Sequence, residues 1–588
     1  MPTWQQLRDL KLSDYTTAAD GYGKVSSRAD ASKGRVDNEM LSKLHETQTS
    51  DTSKAAVGDL SRLSRNYQYL HSECGLIRTA LNGLATELAG PQKKLNQALE
   101  DAANLKFTVN ADGSVSYPPP IPLVAAPATA ESPKPPLLAN PNATNPNEVK
   151  AKDIADRIAS AVGDANEIDG RYAGTLRKLK AAPGLDVTDE MLLDAAQDTK
   201  DVQKAAGKFL PESDIPKDKS AADNRKWWDG LTQEQRDEYS TLYPERVGAL
   251  DGLPSPVRDD ANRMVLAEAH AQADVDLKNL GPEPSKVIAN PSGSYPAAIT
   301  NPAWQTWNDS KNRLNAQLKG MDAIQKRFDS TGEDGLPQAY LLGFDTKGNG
   351  HAIVANGNPD TAKNTAVYVP GTTSRLEGIG GDVNRMTTLW HDAQGFPGSP
   401  STSTITWLGY DAPQSIVPEA MEKHFAHEGA PKLDRFMDGL QTAQGGPDAS
   451  HTTVIGHSYG STVVGDATLK GHLGADDIVV AGSPGMLVGD ASDLGIGKDH
   501  VFAEAAGDDP VPLGGKVAGL GGRKWGVQTW HGIPYDAGYI ETVPSDEAFG
   551  AHRMKTDTSG HSDYWKPGSQ SLHNQAAVVV GRYDQVKE

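Results

Sequence analysis

A serine lies between two glycines in the pentapeptide Gly456-His457-Ser458-Tyr459-Gly460. β-branched residues precede this pentapeptide and small residues follow it, which is typical of a turn from a strand into a helix. G-x-S-x-G at such a turn is the nucleophile elbow, whose strained backbone exposes the serine hydroxyl above the strand ends. Glycine is expected at both ends because side chains two residues before and after the serine would collide. The pattern predicts that Ser458 is a catalytic nucleophile, with a glycine-rich structural turn as the alternative.

The acid of a triad is expected after a later strand than the one that carries the nucleophile. A serine hydroxyl becomes nucleophilic only when a base takes its proton, and in elbow proteins the acid and the histidine follow the serine in that order. The predicted strand 501–506 is followed by Asp508 and Asp509, of which only one can reach the base. We favour Asp509, which precedes a proline and a valine. Asp508 then satisfies the turn or faces solvent, and Glu504 and Asp536 are the next acids to test.

Four histidines follow these aspartates, and the base must lie on a loop before the last helix. His573 is already on that helix, whereas His531 and His552 lie in a long insertion without distinguishing context. His561 lies in the loop Ser-Gly-His-Ser-Asp-Tyr-Trp shortly before the helix. We therefore predict that His561 is the general base.

An oxyanion requires two backbone N–H donors. One is expected from Tyr459, directly after the nucleophile. The other should come from the loop that follows the strand 366–369, where Gly371 allows close approach and Thr372 offers its N–H. An ordinary strand-end turn is the alternative for that loop. This chemistry requires no metal and no other cofactor.

The elements that would hold these residues begin near residue 335. The first two strand-like runs are joined by 346–350, which predicts an antiparallel hairpin at the edge of a sheet. The later runs alternate with helical patterns, which predicts a mostly parallel, doubly wound sheet.

The N-terminal half is predicted to be helical, with apolar residues spaced by three and four across a long segment. That spacing indicates a coiled coil or an antiparallel helical hairpin. Trp227 and Trp228 indicate a later helical segment that docks on the next domain. The predicted organisation is a helical hairpin at 1–106, a β-hairpin and proline-rich linker at 107–147, a helical region at 148–224, a docking segment at 225–334 and a catalytic domain at 335–588. The apolar positions of the long segment are Leu60, Leu63, Tyr67, Leu70, Cys74, Ile77, Leu81, Leu84 and Leu88.

Composition excludes several classes of function. The net charge of −20 disfavours nucleic acid as a partner. No apolar run is long enough to span a bilayer, and the N-terminus lacks a signal-peptide core, so we expect a cytoplasmic protein or one exported without a cleavable signal. The only cysteine, Cys74, excludes internal disulfides and cysteine-based zinc sites, and we expect it in the core. His424 and His427 lack a third metal ligand, so a solvated helix face is favoured there.

The motifs Val-Tyr-Val-Pro-Gly-Thr, Gly-Tyr-Asp-Ala-Pro, Gly-His-Ser-Tyr-Gly, Gly-Asp-Asp-Pro-Val and Gly-His-Ser-Asp-Tyr-Trp together resemble the actinobacterial alpha/beta-hydrolase family formerly called DUF1023. The resemblance covers residues 335–588 and implies an α/β hydrolase fold. It also implies a Ser-Asp-His triad at Ser458, Asp509 and His561. The N-terminal helices loosely resemble WXG100-type modules of export systems.

The predicted function is that of a serine hydrolase, similar to esterases and lipases, which acts on an ester, thioester or amide through an acyl-enzyme. Its substrate would be a small acyl or lipid-like ester. Acyl transfer by the same triad is one alternative. A second is an interaction or export-targeted protein whose hydrolase domain serves as a scaffold, with a protein partner on the N-terminal helices.

Overall fold

The structure is a computed structural model of the chain. It divides into two compact units, of which the first comprises Met1–Ser27, His71–Ala182 and Gln197–Glu212 and the second Arg28–Leu70, Pro183–Ala196 and Ser213–Glu588. Most of the predicted proline-rich linker lies outside the described residues, as does His531. The structure describes residues 3–48, 50–118, 145–180, 186–292, 295–296, 298–398, 400–530 and 533–588.

Helices dominate the chain up to residue 334. Side chains cap several of them, such as Thr3 at the start of α1 and Ser220 at the start of α7. A π-helical turn, Val36–Met40, separates α2 from α3. The helices of this half are α1 Trp4–Asp9, α2 Leu12–Arg35, α3 Leu41–Thr47, α4 Asp51–Asn104, α5 Pro146–Leu176, α6 Asp189–Ala206, α7 Ala221–Gly230, α8 Gln233–Leu242, α9 Pro244–Gly248, α10 Ser255–Asn279 and α11 Pro302–Asp329.

The long helix α4 does not bury the apolar seam that its spacing predicts. Cys74, Leu84 and Leu88 are buried, but Leu70 is exposed and Tyr69, one position earlier, is buried instead. A seam of alternating three and four residues requires one facing helix along its whole length. The buried side of α4 therefore shifts at Leu70, and the coiled coil or antiparallel hairpin stays a prediction.

Two short hairpins lie outside the main sheet in this half. Strands β1 (Thr108–Val109) and β2 (Val115–Ser116) pair antiparallel around the positive φ of Gly113. The indole N–H of Trp4 donates to the carbonyl of Asn110 in the same unit, at 3.0 Å. Strands β3 (Val287–Ala289) and β4 (Ala298–Thr300) form the second hairpin.

The eight-stranded sheet of the second unit has the order β14-β11-β10-β9-β7-β8-β6-β5. Strands β14 to β8 along this order run parallel, whereas β6 is antiparallel to both of its neighbours β8 and β5. The fold is thus an α/β hydrolase fold with an antiparallel hairpin at one edge. Its strands are β5 Ala339–Asp345, β6 His351–Asn356, β7 Asn364–Val369, β8 Thr402–Leu408, β9 His451–His457, β10 Asp477–Ala481, β11 Val501–Glu504 and β14 His552–Arg553.

Helices cover both faces of this sheet. The remaining helices are α12 Ile379–Gln394, α13 His424–Gln444, α14 Tyr459–Lys470, α15 Val511–Ala518 and α16 Gln570–Val579. Apolar residues of α13 and α14 pack with one face of the strands, and those of α12 and α16 pack with the other. A further antiparallel pair, β12 (Gly522–Trp530) and β13 (Ile533–Thr542), lies outside the sheet.

Helix α10 covers the edge strand β5 with charged and polar side chains. The Asp259 carboxylate accepts from the N–H of Leu341 at 2.7 Å, and Asn262 donates to the carbonyl of the same residue at 3.0 Å. Arg263 donates to the carbonyl of Ala339 at 2.9 Å. These contacts satisfy the open backbone groups of the edge strand, which would otherwise be free to pair with another chain.

The predicted docking tryptophans pack within the second unit. Trp228 is buried, and Trp227 meets the ring of Tyr239 edge to face at 5.3 Å. The same helix α7 holds Asn224, whose amide donates to the carbonyl of Asp251 at 3.0 Å. Gly439 on α13 abuts Asp251 directly, since a Cβ there would lie 2.6 Å from its side chain. The segment before residue 335 is thereby tied to a helix that covers the sheet.

Candidate active site

Ser458 lies in the sharp turn between β9 and α14. Its φ of 52° and ψ of −130° are rare for a residue with a side chain. Its N–H donates to the carbonyl of Ala481, the last residue of the neighbouring strand β10, at 3.0 Å. Ser458 occupies the N-cap position of α14 and makes no capping bond with its side chain. Backbone N–H groups are open at this helix end, and the helix dipole favours negative charge there.

Each of the two elbow glycines has a close contact of its own. A Cβ on Gly456 would lie 2.6 Å from the Cα of Ser461, so this glycine clears the first turn of α14. A Cβ on Gly460 would lie 2.1 Å from the carbonyl oxygen of Val369 at the end of β7. The second glycine therefore lets the helix approach a neighbouring strand, and the predicted collision between the two positions stays a prediction.

His561 and Asp509 are joined by their side chains. The Nδ1 atom of His561 lies 2.8 Å and 3.0 Å from the two carboxylate oxygens of Asp509. An ionised carboxylate can only accept, so Nδ1 carries the proton and Nε2 keeps its lone pair. This Nε2 is buried and has no hydrogen-bond partner in the described part of the chain.

The surroundings of Asp509 favour its charged form. The hydroxyl of Tyr564 donates to this carboxylate at 2.6 Å, and the N–H of Val511 donates at 2.9 Å. Burial raises the pKa of the Asp509 carboxyl, but these bonds and the one from His561 outweigh it, so that the pKa lies below its ordinary value. Tyr564 has no role in the sequence analysis, although it lies in the same loop motif as His561.

Asp508 contacts the same loop at a different atom. Its carboxylate accepts from the N–H of Gly560, the residue before His561, at 2.7 Å. The sequence left two roles open for Asp508, to satisfy a backbone amide of a turn or to face solvent. The bond from Gly560 is of the first kind. Asp508 therefore binds the backbone of the loop that carries His561, and Asp509 binds the imidazole ring of His561 itself.

The other candidate acids and histidines have different neighbours. Glu504 is fully buried, which raises the pKa of its carboxyl well above the ordinary value, and no hydrogen bond links it to His561. His552 pairs with Glu588 at 2.5 Å, and His573 stacks on Phe396 with ring centroids 4.8 Å apart. The side chain of Asp536 lies outside the described residues.

Asp509 and His561 both border Gly482, a residue that sequence reasoning missed. Gly482 follows Ala481 directly and has a φ of 58°. A Cβ on Gly482 would lie 2.7 Å from Asp509 Oδ2 and 2.9 Å from His561 Cε1. Within the described residues no hydrogen bond joins the Ser458 hydroxyl to His561. Catalytic hydrogen bonds are often long before substrate binds, so a missing bond in the free protein does not exclude proton transfer.

The loop that carries the predicted oxyanion donor Thr372 contacts the serine turn through Gly371. A Cβ on Gly371 would lie 2.6 Å from the Cβ of Ser458 and 3.0 Å from the N atom of Tyr459, so the two loops touch. Thr372 lies between Gly371 and Thr373. Thr373 has a φ of 69°, and its N–H donates to the carbonyl of Pro413 at 2.7 Å. The N–H groups of Thr372 and Tyr459 have no backbone acceptor in the described part of the chain.

His457 is a further buried residue of the site that the sequence analysis gave no role. Its Nε2 donates to the carbonyl of His561 at 2.9 Å, and the two imidazole rings stack with centroids 4.9 Å apart. Burial lowers the pKa of His457 to about 3, and the charges of Arg385 and His561 act in the same direction. Nδ1 lies 3.4 Å from the hydroxyl of Tyr368, to which Arg385 donates at 2.7 Å. A neutral histidine thus ties the loop of His561 to the end of β9.

His424 and His427 contact separate carboxylates. His424 pairs with Glu422 at 3.0 Å and His427 pairs with Asp466 at 2.9 Å. Over the described ranges no group of three or more histidine, cysteine or acidic side chains is arranged to hold a metal ion. No helix in those ranges is both long and apolar enough to cross a membrane.

A mostly parallel sheet with a strained serine elbow, and with an aspartate and a histidine after later strands, defines the class of alpha/beta hydrolases. A family model described as "Alpha/beta hydrolase" matches residues 345–518, which include Ser458 and Asp509. An uncharacterized protein of Mycobacterium tuberculosis is 29% identical over 457 residues, which are 74% of this chain and 66% of the relative.

An uncharacterized protein of Mycobacterium bovis is 31% identical over 185 residues, which are 30% of this chain and 68% of that protein. The chain belongs to this alpha/beta hydrolase family. No solved structure is a significant match to it. The likeness of the N-terminal helices to WXG100-type modules stays a prediction.

Proposed function

We propose that the protein is a serine hydrolase that cleaves an ester through an acyl-enzyme. Ser458 attacks the substrate carbonyl while His561 Nε2 takes the hydroxyl proton. The N–H groups of Tyr459 and Thr372 stabilise the oxyanion of the tetrahedral intermediate. His561 then gives the proton to the leaving alcohol, and water attacks the acyl-enzyme with the same histidine as base.

Asp509 fixes the direction of this proton transfer. Its carboxylate accepts from Nδ1, so that the lone pair of the imidazole is held at Nε2, and it stabilises the imidazolium that forms during attack. Hydrogen bonds from Tyr564 and Val511 keep the carboxylate ionised, in agreement with its lowered pKa. These groups act before substrate arrives, so little reorganisation is needed during the reaction.

One observation carries the proposal. A histidine whose Nδ1 is bound to a buried carboxylate keeps a buried Nε2 without a hydrogen-bond partner in the described residues, and its ring stacks on His457, the residue before the strained Ser458. An unsatisfied buried polar atom costs about 1 to 3 kcal/mol, so a lone pair left free at Nε2 suits a base that awaits a proton from substrate or nucleophile. Strain and unsatisfied groups of this kind concentrate at active sites.

Two alternatives use the same chain differently. Acyl transfer would follow the same steps up to the acyl-enzyme and then need a second substrate in place of water. A scaffold role, with a protein partner on the N-terminal helices, would need no acyl-enzyme at all. Both remain alternatives that the following measurement separates.

Hydrolysis of p-nitrophenyl esters of increasing acyl length tests the proposal, with Ser458→Ala as the critical variant. Ser461→Ala is the matched control, since Ser461 lies on the same turn but its hydroxyl bonds the carbonyl of Ser458 and the hydroxyl of Ser483. We expect Ser458→Ala to lose at least about a thousandfold in kcat. Turnover by pure Ser458→Ala protein at a few per cent of the wild-type rate would contradict the proposal. A stable acyl-enzyme released only by an added alcohol would favour acyl transfer.

A further inference from the structure

Exposed large apolar side chains of the hydrolase part are concentrated on three segments. Of nine such side chains recorded after residue 335, seven lie on a loop after β8, on α15 and on the β12–β13 hairpin. The two exceptions are Leu469 and Tyr583. We call these seven residues the apolar rim: Ile416, Val417, Met421, Leu513, Val517, Trp525 and Tyr539.

The loop part of the rim is pinned beside the candidate oxyanion hole at both ends. Before it, Pro413 accepts from the N–H of Thr373 at 2.7 Å, and Gln414 donates to the carbonyl of Ser374 at 3.1 Å. After it, the carbonyl of Glu422 accepts from the hydroxyl of Tyr459. The segment between these anchors exposes 74% of Ile416, 69% of Val417 and 41% of Met421. The loop that carries these side chains is therefore anchored to the residues that flank Ser458 and the predicted oxyanion donor.

The helical part of the rim starts at the triad acid. Helix α15 begins at Val511, whose N–H donates to Asp509 at 2.9 Å. Gly515 on its inner side abuts the carbonyl of Pro484, where a Cβ would lie 1.7 Å from the oxygen. Leu513 and Val517 are one helical turn apart and are 70% and 81% exposed. This helix thus presents an apolar side away from the protein.

The hairpin continues the rim. Trp525 and Tyr539 are direct partners across β12 and β13, with ring centroids 5.4 Å apart, and are 63% and 71% exposed. The base of the hairpin is anchored by Thr542, whose hydroxyl donates to the carbonyl of Gly489 at 2.7 Å. Tryptophan and tyrosine are the residues that favour the boundary between water and lipid, because their rings are apolar and their edges polar.

We propose that the apolar rim seats the enzyme on the surface of an aggregated, uncharged acyl ester, from which single molecules reach Ser458. This inference rests on the proposed function and names the physical form of its substrate. Exposed apolar side chains grouped in this way mark interaction sites, and both the loop and α15 are anchored to residues of the candidate active site. A small soluble ester would have no use for it.

The cations of α15 and of the hairpin are each paired with a carboxylate. Lys516 pairs with Asp546 at 2.7 Å, Arg523 pairs with Glu541 at 3.7 Å, and Lys524 pairs with Asp490. The cations of α15 and the hairpin are thus neutralised, and the chain carries a net charge of −20. Binding to anionic lipid requires basic residues that are free to meet it, so a negatively charged surface should repel this protein.

The test uses the full-length protein on two ester substrates. p-Nitrophenyl acetate is soluble as single molecules, and trioctanoylglycerol forms an uncharged emulsion. The variants are the double substitutions Leu513→Ser with Val517→Ser and Ile416→Ser with Val417→Ser. Leu469→Ser is the matched control, since Leu469 is 51% exposed on α14 outside the rim. Flotation of Ser458→Ala protein with the emulsion measures binding without catalysis.

We expect each double variant to lose at least about tenfold on the emulsion, since two apolar side chains contribute more than about 1.4 kcal/mol to surface binding. Activity on p-nitrophenyl acetate should stay within about twofold, and the Leu469 control should match the wild type on both substrates. Dioleoylphosphatidylglycerol in the emulsion should reduce flotation.

Full activity of both double variants on the emulsion would overturn the proposal and leave a protein partner as the occupant of the rim. The same conclusion follows if the wild type hydrolyses p-nitrophenyl acetate but neither floats with the emulsion nor hydrolyses it. If the wild type cleaves neither substrate, the proposed function itself is contradicted.

Discussion

Asp508 and Asp509 are neighbours in sequence but contact different atoms of the loop that carries His561. We expect Asp509→Asn to lose at least about a hundredfold in kcat, because an amide cannot hold the required tautomer or stabilise the imidazolium. Asp508→Asn should stay within about tenfold, because its remaining carbonyl oxygen can still accept from the N–H of Gly560. The measurement is kcat on a p-nitrophenyl ester above the pKa of the base. The reverse ranking would assign the triad to Asp508, and two mild variants would move the acid elsewhere.

His457 positions the base through its bond to the carbonyl of His561. His457→Gln retains an N–H donor, whereas His457→Phe retains a ring without one. We expect His457→Phe to lose about tenfold in kcat and His457→Gln to lose about threefold or less, with KM unchanged in both. Equal losses in the two variants would mean that ring packing, and not the hydrogen bond, is what matters.

The same histidine makes stability depend on pH. Its pKa of about 3 in the folded protein lies below the ordinary 6.5, so the unfolded chain binds a proton that the folded chain does not in the interval between these values. Stability therefore falls as the pH falls through this interval, by up to about 1.4 kcal/mol per pH unit. We compare the free energy of unfolding in urea at pH 6.5 and at pH 4.5. Between these two values it should fall by about 2 kcal/mol less in His457→Gln than in the wild type. Identical acid dependence of both proteins would contradict a buried neutral His457.

At the scale of elements, the approach of α14 to β7 explains why the elbow needs its second glycine. A methyl group on Gly460 would meet the carbonyl of Val369, which belongs to the buried backbone and cannot move aside. We expect Gly460→Ala to abolish activity and to lower the melting temperature. Gly507→Ala is the matched control, since a Cβ there meets nothing within 4 Å although the residue directly precedes Asp508. Normal activity of Gly460→Ala would contradict the tight elbow described here.

The alternation of strands and helices was enough to predict the doubly wound sheet and its antiparallel edge, because hydrophobic period and hairpin signals are local. Contacts across the sheet were not predictable in this way. Gly482, Tyr564 and the bond from His457 to His561 join residues far apart in sequence, and no local pattern marks them. The burial of Tyr69 in place of Leu70 on α4 was unpredictable for a related reason, since spacing along one helix does not reveal which elements cover it.

At the scale of the molecule, residues 28–70 belong to the same unit as the hydrolase fold. Asp37 lies 3.8 Å from the buried guanidinium of Arg263, and the hydroxyl of Ser61 donates to Asp329 at 2.8 Å. We expect a fragment from Ser213 onward to contain every residue of the candidate site, yet to melt below the full chain because Arg263 loses a partner. Thermal unfolding, with esterase activity as a second readout, checks this. A folded but inactive fragment would mean that the N-terminal helices contribute to the site.

The sequence did not predict that residues 28–70 contact the helix at 302–329. Both segments show ordinary amphipathic patterns, and such patterns do not identify a partner. Whether the five predicted segments fold independently stays a prediction for such fragments to test. The extent of the catalytic part was easier to predict, since the family motifs lie between its strands and helices.

Covalent labelling by a fluorophosphonate probe tests the central claim most directly, because the probe reacts only with a serine whose hydroxyl is activated by a base. We predict that the wild type takes up one label on the peptide that contains Ser458, located by mass spectrometry. Labelling should disappear in Ser458→Ala and slow by at least about a hundredfold in Asp509→Asn. Folded wild-type protein that takes up no label, or Ser458→Ala protein that still does, would contradict the assignment of Ser458 as the nucleophile.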